Sequence, residues 1–399
     1  MLLVTAALFN CFSGCLSVKA EEVNAVVEIC GVLAEPSVDA NNPYGSISLF
    51  SNTVYSGCYG NQLTGEAKGL YDAFVETYVT QRGSSKLTYN LKTELTFKDK
   101  YIDGDLQGSA EYAEVTEEIT IMCQVAMDAF IYDCPQVFWL STMKYQYSIS
   151  LSIDYFNNAY CTISQIEFIP VETYSGASAK ISSYDSGVDS VINNIKNAVD
   201  SSVSRRETLK YIHDYLCKKG YYSYSGLKIT HTSEPLFIGG GGVVCEGYAD
   251  AFKVICDRLG IPCACIVGGA DSNGKEEPHM WNYVQLEDGK WYLIDITWDD
   301  QISGIRYTYF LANYNTQGFY EKIYDERREQ GDFSATGYMN FVYPVLSRTE
   351  YPEVTHLVRV RNSILEDIVY SEICLDYNAD DKTDARDIVW LKKVLAGII

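Results

Sequence analysis

The chain has 399 residues, 47% of them hydrophobic and 21% charged, a composition that supports a folded soluble protein of two or three domains and excludes a disordered one. Its formal net charge of -22 repels phosphate backbones and anionic lipid headgroups, which argues against a nucleic-acid partner. The same charge suits an extracellular protein that must stay soluble or, as a sharper alternative, a cationic substrate.

Residues 2–18 are apolar enough for a signal h-region, and Val18-Lys19-Ala20 before Glu21-Glu22 offers the small residue that signal peptidase accepts. A leader over 1–20 and a secreted mature chain are therefore expected, although the segment has no positively charged n-region. Cys15 after Phe12-Ser13-Gly14 loosely resembles a lipoprotein cleavage site, but a cut after Ala20 reads better. No later run reaches the roughly 20 apolar residues of a spanning helix, so no transmembrane segment is expected in the mature chain. Thirteen cysteines, eleven after Ala20, would suggest disulfides in an exported protein. Their spacings show no framework, and the odd mature count leaves at least one thiol free.

Apolar residues recur at helical spacing over 63–80, predicting an amphipathic helix, and a second helix is expected over 115–132, stopped before Pro135. Residues 144–155 and 159–169 alternate and are rich in β-branched and aromatic side chains, as strands are. The Ser/Gly/Asp-rich stretch 175–190 reads as a turn-rich link, followed by a helix over 205–219. These signals place an N-terminal companion domain of helices then strands at 21–172, a catalytic domain at 173–351 and a tail module at 352–399.

The glycine run 239–242 leads directly into Cys245, and residues 249–259 carry Phe252, Ile255 and Leu259 on one helical face before the stop signal Gly260 and Pro262. Cys245 then stands at a helix N-terminus, where the dipole and free N–H groups favour a thiolate and could hold an oxyanion. On its own, a cysteine before a helix is also what a buried core thiol looks like, and it needs a base. Of four histidines, His279 opens the string His279-Met280-Trp281-Asn282, and Asp295 closes the run after Trp291. The intervening Asp288-Gly289 marks a hairpin. Side chains alternate along strands, so His279 and Asp295 share a face only if the loop has an odd number of residues. A Glu287-Asp288-Gly289 turn with Gly289 in the left-handed conformation provides one, pairing Leu286 with Lys290 and placing Asp295 opposite Trp281, diagonal to His279. Nucleophile, base and orienter are then assembled.

These residues resemble the transglutaminase-like superfamily of papain-type thiol enzymes. The likeness runs through Cys-x-Gly-Tyr at 245–248, Arg258-Leu259-Gly260-Ile261-Pro262, His-x-Trp-Asn at 279–282 and Trp291 to Trp298, covering roughly 190–320. It implies Cys245 as nucleophile, His279 as base, Asp295 as orienter, and a protein or peptide substrate attacked at an amide or peptide bond. Tyr71-Asp72-Ala73 and the stretch from Tyr132 to Leu140 look like the companion region in front of such domains in bacterial surface proteins. His213 reads as structural, His231 and His356 have no partner in view, and Cys256, Cys263 and Cys265 are accounted for by packing. Metal ligation by the Cys-x-Cys pair lacks a second pair of suitable spacing.

Near the end, Asp376, Asn378, Asp380, Asp384 and Asp387 stand at positions 1, 3, 5, 9 and 12 of a loop whose position 7 offers the Lys382 carbonyl, the set of hard oxygens that calcium takes. A short helix over 388–395 follows, with Ile388, Leu391 and Leu395 on one face. The segment resembles one repeat of a type I dockerin, although Asp381 stands where glycine normally turns the loop and only one repeat is recognisable. The resemblance implies a cohesin-bearing scaffold of cellulosome type as partner, met through Lys392 and Lys393.

The expected fold is thus α+β: a papain-like, transglutaminase-like core with the Cys245 helix packed on an antiparallel sheet, preceded by an α+β companion and followed by a small helical EF-hand-like dockerin module. The expected activity is thioester-forming acyl transfer. Water as second substrate gives a peptidase or amidase, favoured because nothing in the sequence marks an acceptor-amine site. An amine gives a crosslinking transglutaminase, and a non-catalytic binding module of a cell-surface complex is the competing class.

Overall fold

In the first half, alternation of apolar and charged residues makes long strands, and broad apolar faces make the helices that cover them. The computed structural model describes residues 24–32, 58–199, 204–272, 275–314, 327–329 and 341–351. By its contacts the chain divides into one compact unit, Met1–Glu350, and a second, Tyr351–Ile399. The leader expected over 1–20, His356 and the loop residues Asp376, Asn378, Asp380, Lys382, Asp384 and Asp387 lie outside the described residues.

The first elements are β1 (Asn24–Val32), α1 (Gly65–Phe74), β2 (Leu87–Ile102), β3 (Asp105–Leu106), α2 (Ala110–Asp133), β4 (Leu140–Ile153) and β5 (Asn158–Glu172). The strands form an antiparallel sheet in the order β1-β4-β5-β2-β3. Phe74 of α1 ties the layers together, its ring 5.6 Å from Phe130 of α2 and 5.1 Å from Phe168 of β5. Strands and helices alternate here, where helices followed by strands were expected. Strand β2 is hard to see in the sequence because a register shift between Asn90 and Leu95 breaks its alternation and its outer face is charged. Helix α2 starts before residue 115 because Ser109 caps it, accepting from the Tyr112 N–H at 3.1 Å.

The stretch read as a turn-rich link is instead helical: α3 spans Ile181–Ala198. Tyr184, Val188, Val191, Ile192 and Ile195 follow helical spacing and are buried, and this burial overrides the weak helix propensity of Ser, Gly and Asp. Gly187 fits for a packing reason, since a Cβ there would lie 2.9 Å from the Phe237 carbonyl oxygen.

The second half comprises α4 (Arg205–Lys219), β6 (Tyr221–Tyr222), α5 (Glu234–Phe237), β7 (Gly242–Val243), α6 (Cys245–Arg258), β8 (Cys263–Ser272), β9 (Lys275–Gln285), β10 (Trp291–Ile294), α7 (Ile296–Asp299), β11 (Asp300–Gln301), β12 (Gly304–Ile305), β13 (Phe310–Ala312) and β14 (Arg327–Glu329). A Ser204–Glu207 capping box starts α4. The main sheet runs β13-β10-β9-β8-β14, and α6 lies against β8 and β9 through the buried Ala249, Phe252, Ile255 and Cys256. A mixed helix-and-sheet core with the cysteine helix on an antiparallel sheet is what the sequence led us to expect.

The two halves are joined inside the one compact unit. The Tyr343 hydroxyl donates to the Val267 carbonyl at 3.3 Å, Gln62 exchanges hydrogen bonds with the Val342 backbone at 3.0 and 2.8 Å, and Phe138 stacks on Tyr184 at 4.4 Å. Among the described residues Cys58, Cys123, Cys134, Cys161, Cys217, Cys245, Cys256, Cys263 and Cys265 are free thiols, and no helix is long and apolar enough to cross a membrane.

Candidate active site

Helix α6 begins at Cys245, with the extended Val244 as its N-cap. Valine has no side-chain acceptor, so the N–H groups of the first turn keep their capacity for a ligand. The approach to the cysteine is fixed by glycine. At Gly241, where φ is +85°, a Cβ would lie 2.2 Å from the Lys219 carbonyl oxygen. Within the Cys-x-Gly motif, a Cβ on Gly247 would lie 2.7 and 2.8 Å from the carbonyl oxygens of Thr232 and Thr230, so only glycine lets the first turn of α6 press against that segment.

The hairpin brings His279 and Asp295 together. Strands β9 and β10 pair Gln285 with Trp291 and Asn282 with Ile294. The Leu286 N–H donates to the Lys290 carbonyl at 3.1 Å, and Gly289 turns the loop at φ +75°. This is the odd three-residue turn that the alternation requires. One detail differs from expectation: β10 ends at Ile294, and Asp295 is the N-cap of α7. Its Oδ1 accepts from the Trp298 N–H at 3.1 Å, while Oδ2 lies 2.8 Å from His279 Nε2. A capping aspartate thus holds one oxygen on its own helix and turns the other to the imidazole.

Both partners are buried, His279 at 6% exposure and Asp295 at 1%. Burial alone would push the His279 pKa down; the Asp295 carboxylate and the hydrogen-bonded Cys245 outweigh it and raise the value to about 9. With Nε2 engaged by Asp295, Nδ1 is the ring nitrogen left for the Cys245 side chain. The ring stacks on Trp281 at 5.7 Å and lies 5.4 Å from Trp298. Asn282, the residue after Trp281 in the same motif, donates from Nδ2 to the Ala249 carbonyl at 3.1 Å and so fixes the histidine strand against the cysteine helix.

Cys245 and His279 open into a cleft of about 480 Å³ whose other wall comes from the first half, including Tyr132, Phe138 and Leu140. Sequence reading placed these residues in the companion region and not at a cleft, because only the tertiary fold carries the end of α2 to the Cys245 helix. It also missed two carboxyl groups on α6 that line the cleft, Glu246 and Asp250. Glu246 Oε2 lies 2.8 Å from His231 Nδ1, which gives His231 the partner not visible in the sequence. Asp250 keeps some surface toward the cleft, yet it is enclosed closely enough that burial, reinforced by the charge of Glu246, pushes its pKa well up.

His213 is fully buried, with Nε2 3.2 Å from Asp299 Oδ2 and Nδ1 3.2 Å from Asp214 Oδ1. Asp299 also accepts from the Tyr309 N–H and closes α7 onto Asp295, so His213 braces the turn that carries the Asp295 carboxylate. Among the described residues no group of three or more His, Cys, Asp or Glu side chains is placed to hold a metal, and Cys263 and Cys265 are buried in packing.

The order of cysteine helix, histidine strand and capping aspartate can now be set beside known proteins. Residues 191–296 match the sequence model of the Transglutaminase-like superfamily. The chain therefore contains a transglutaminase-like domain, and both Cys245 and His279 fall inside the matched residues, as does Asp295. Kyphoscoliosis peptidase from Mus musculus is 33% identical over 79 residues, a stretch that is 18% of this chain and 12% of that protein. The chain thus spans only a small part of that curated relative. Among solved structures, the periplasmic domain of TgpA from Pseudomonas aeruginosa covers 39% of this chain and 72% of its own at 9% identity and a TM-score of 0.23. A candidate cysteine protease from Cytophaga hutchinsonii covers 59% of this chain and 70% of its own at 10% identity and a TM-score of 0.25.

Proposed function

We propose that the chain is a secreted thiol enzyme that transfers acyl groups from amide or peptide bonds, acting as a cysteine peptidase or amidase. The observation that carries this reading is that Cys245 and His279 open on one cleft, with His279 Nε2 held 2.8 Å from the buried Asp295 Oδ2 and its other nitrogen left for the thiol. In the proposed cycle the Cys245 proton passes to His279 Nδ1 as the sulfur attacks the carbonyl carbon. The first-turn N–H groups of α6 receive the developing oxyanion. The C–N bond breaks, the leaving amine takes the proton from His279, and a thioester remains on Cys245. Water then gives a proton to His279 and attacks the thioester; the acid product leaves, and the proton returns to the sulfur. Asp295 keeps the ring oriented throughout.

Hydrolysis is favoured over crosslinking because nothing in the sequence marks an acceptor-amine site and because the curated relative, 33% identical over 79 residues, carries a peptidase name. Turnover of a glutaminyl peptide library with and without an added primary amine separates the outcomes. Acid products are expected in both conditions, with ammonia as leaving group from a side-chain amide or an amino-terminated peptide from a backbone bond; a product carrying the added amine would overturn hydrolysis, and undiminished turnover by Cys245→Ala would overturn the enzyme reading altogether.

For the tail, we propose a calcium site formed by Asp376, Asn378, Asp380, Asp384, Asp387 and the Lys382 carbonyl, with cohesin docking on a cellulosome-type scaffold as its purpose. The donors are all hard oxygens, which fits calcium, and the ion when bound would order the loop.

A further inference from the structure

Helix α2 ends beside the cleft, and its penultimate residue, Tyr132, lines the same cavity as Cys245 and His279. Its side chain is only 4% exposed, yet among the described residues its hydroxyl has no hydrogen-bond partner. A buried hydroxyl left without a partner destabilises the fold, so such a group is retained where something else engages it. The ring itself is well held, 6.0 Å from Tyr59 and 6.3 Å from Phe341, both in edge-on contact. Packing therefore needs the ring and makes no use of the oxygen.

We propose that the Tyr132 hydroxyl is a substrate-binding donor, giving its hydrogen bond to the carbonyl of a neutral amide in the bound substrate, away from the bond that reacts. This rests on the thiol-enzyme reading and names one contact by which that site recognises a peptide. The surroundings select the ligand chemistry. Phe138, Leu140 and Met280 make the cleft largely apolar, so one polar group fixes orientation while burial supplies affinity. Burial keeps the phenol protonated, as do the carboxylates of Asp128 and Glu246 nearby, so the group is a donor at all working pH values. Those same carboxylates would repel an oxyanion, which separates this contact from the stabilisation of the tetrahedral intermediate. The Glu246 carboxylate nearby is engaged by His231 Nδ1 at 2.8 Å, which leaves a neutral acceptor as the partner that suits the hydroxyl.

Tyr132→Phe keeps the ring and removes only the oxygen. With a fluorogenic peptide that the wild type turns over, KM should rise on the order of 10-fold with kcat nearly unchanged. The melting temperature should hold or rise, because an unmatched buried polar atom is gone. A fall in melting temperature with unchanged KM would make the hydroxyl structural and overturn the proposal, as would a loss confined to kcat. Calorimetric binding of the same peptide to Cys245→Ala, with and without Tyr132→Phe, gives a readout independent of turnover. Equal affinity in the two backgrounds would also overturn it, whereas retained turnover in Cys245→Ala would instead bring down the enzyme reading on which it rests.

Discussion

His279 sits between two opposed influences, and their balance sets the pH behaviour. Burial disfavours the imidazolium, while Asp295 and Cys245 favour it, leaving a pKa of about 9 against an ordinary 6.5. The folded value is the higher one, so the pair contributes its stability in full below about pH 6.5 and loses it as pH rises through about 9. The same proton is needed by the leaving amine, so kcat/KM should fall on a basic limb near pH 9. Asp295→Asn removes the main raising influence and leaves burial in place. The basic limb should then move down to about the ordinary 6.5 or below, with a loss on the order of 100-fold or more in kcat. An unmoved limb in the pH–rate profile of that variant would assign the titration to another group. At this scale the sequence was informative: the helix start at Cys245 and the turn that brings His279 and Asp295 together could be read from periodicity, while the role expected of each came from the family resemblance. The use of Asp295 as a helix cap could not, because a four-residue helix leaves no periodic trace.

At the scale of elements, the first turn of α6 is positioned by close backbone approach. Gly247→Ala would place a Cβ 2.7 Å from a carbonyl oxygen that belongs to the main chain and cannot swing aside. Destabilisation of about 1–3 kcal/mol is expected in denaturant titration, together with a loss of turnover as Cys245 shifts. A variant of full stability and activity would show that the turn yields at no cost. The Cys-x-Gly spacing was visible in the sequence, but its reason was not, since Thr230 and Thr232 approach only in the fold. The opposite failure occurred at 181–198, where Ser, Gly and Asp suggested turns while the apolar spacing from Tyr184 to Ile195 already described a helix. Burial of that stripe outweighs local propensity, and composition was the weaker signal.

At the scale of the molecule, the first half does more than precede the transglutaminase-like domain, since it supplies one wall of the cleft. This was not legible beforehand: Tyr132 and Phe138 reach the site because Tyr59, Gln62 and Tyr343 fasten the two halves through backbone carbonyls and N–H groups, contacts that no pattern along the chain announces. For the tail the sequence remains the guide. Calcium titration of the full chain should show binding at or below the millimolar range, and Asp376→Ala with Asp387→Ala should abolish it while turnover persists. No heat at millimolar calcium would remove the proposed site. The central claim, that Cys245 is a nucleophile served by His279, is tested most directly by iodoacetamide labelling mapped by peptide mass spectrometry. Cys245 should be modified well ahead of the buried Cys256, Cys263 and Cys265, and His279→Ala should slow its labelling about 10-fold or more near neutral pH. Labelling of Cys245 no faster than an ordinary thiol, and indifferent to His279→Ala, would contradict it.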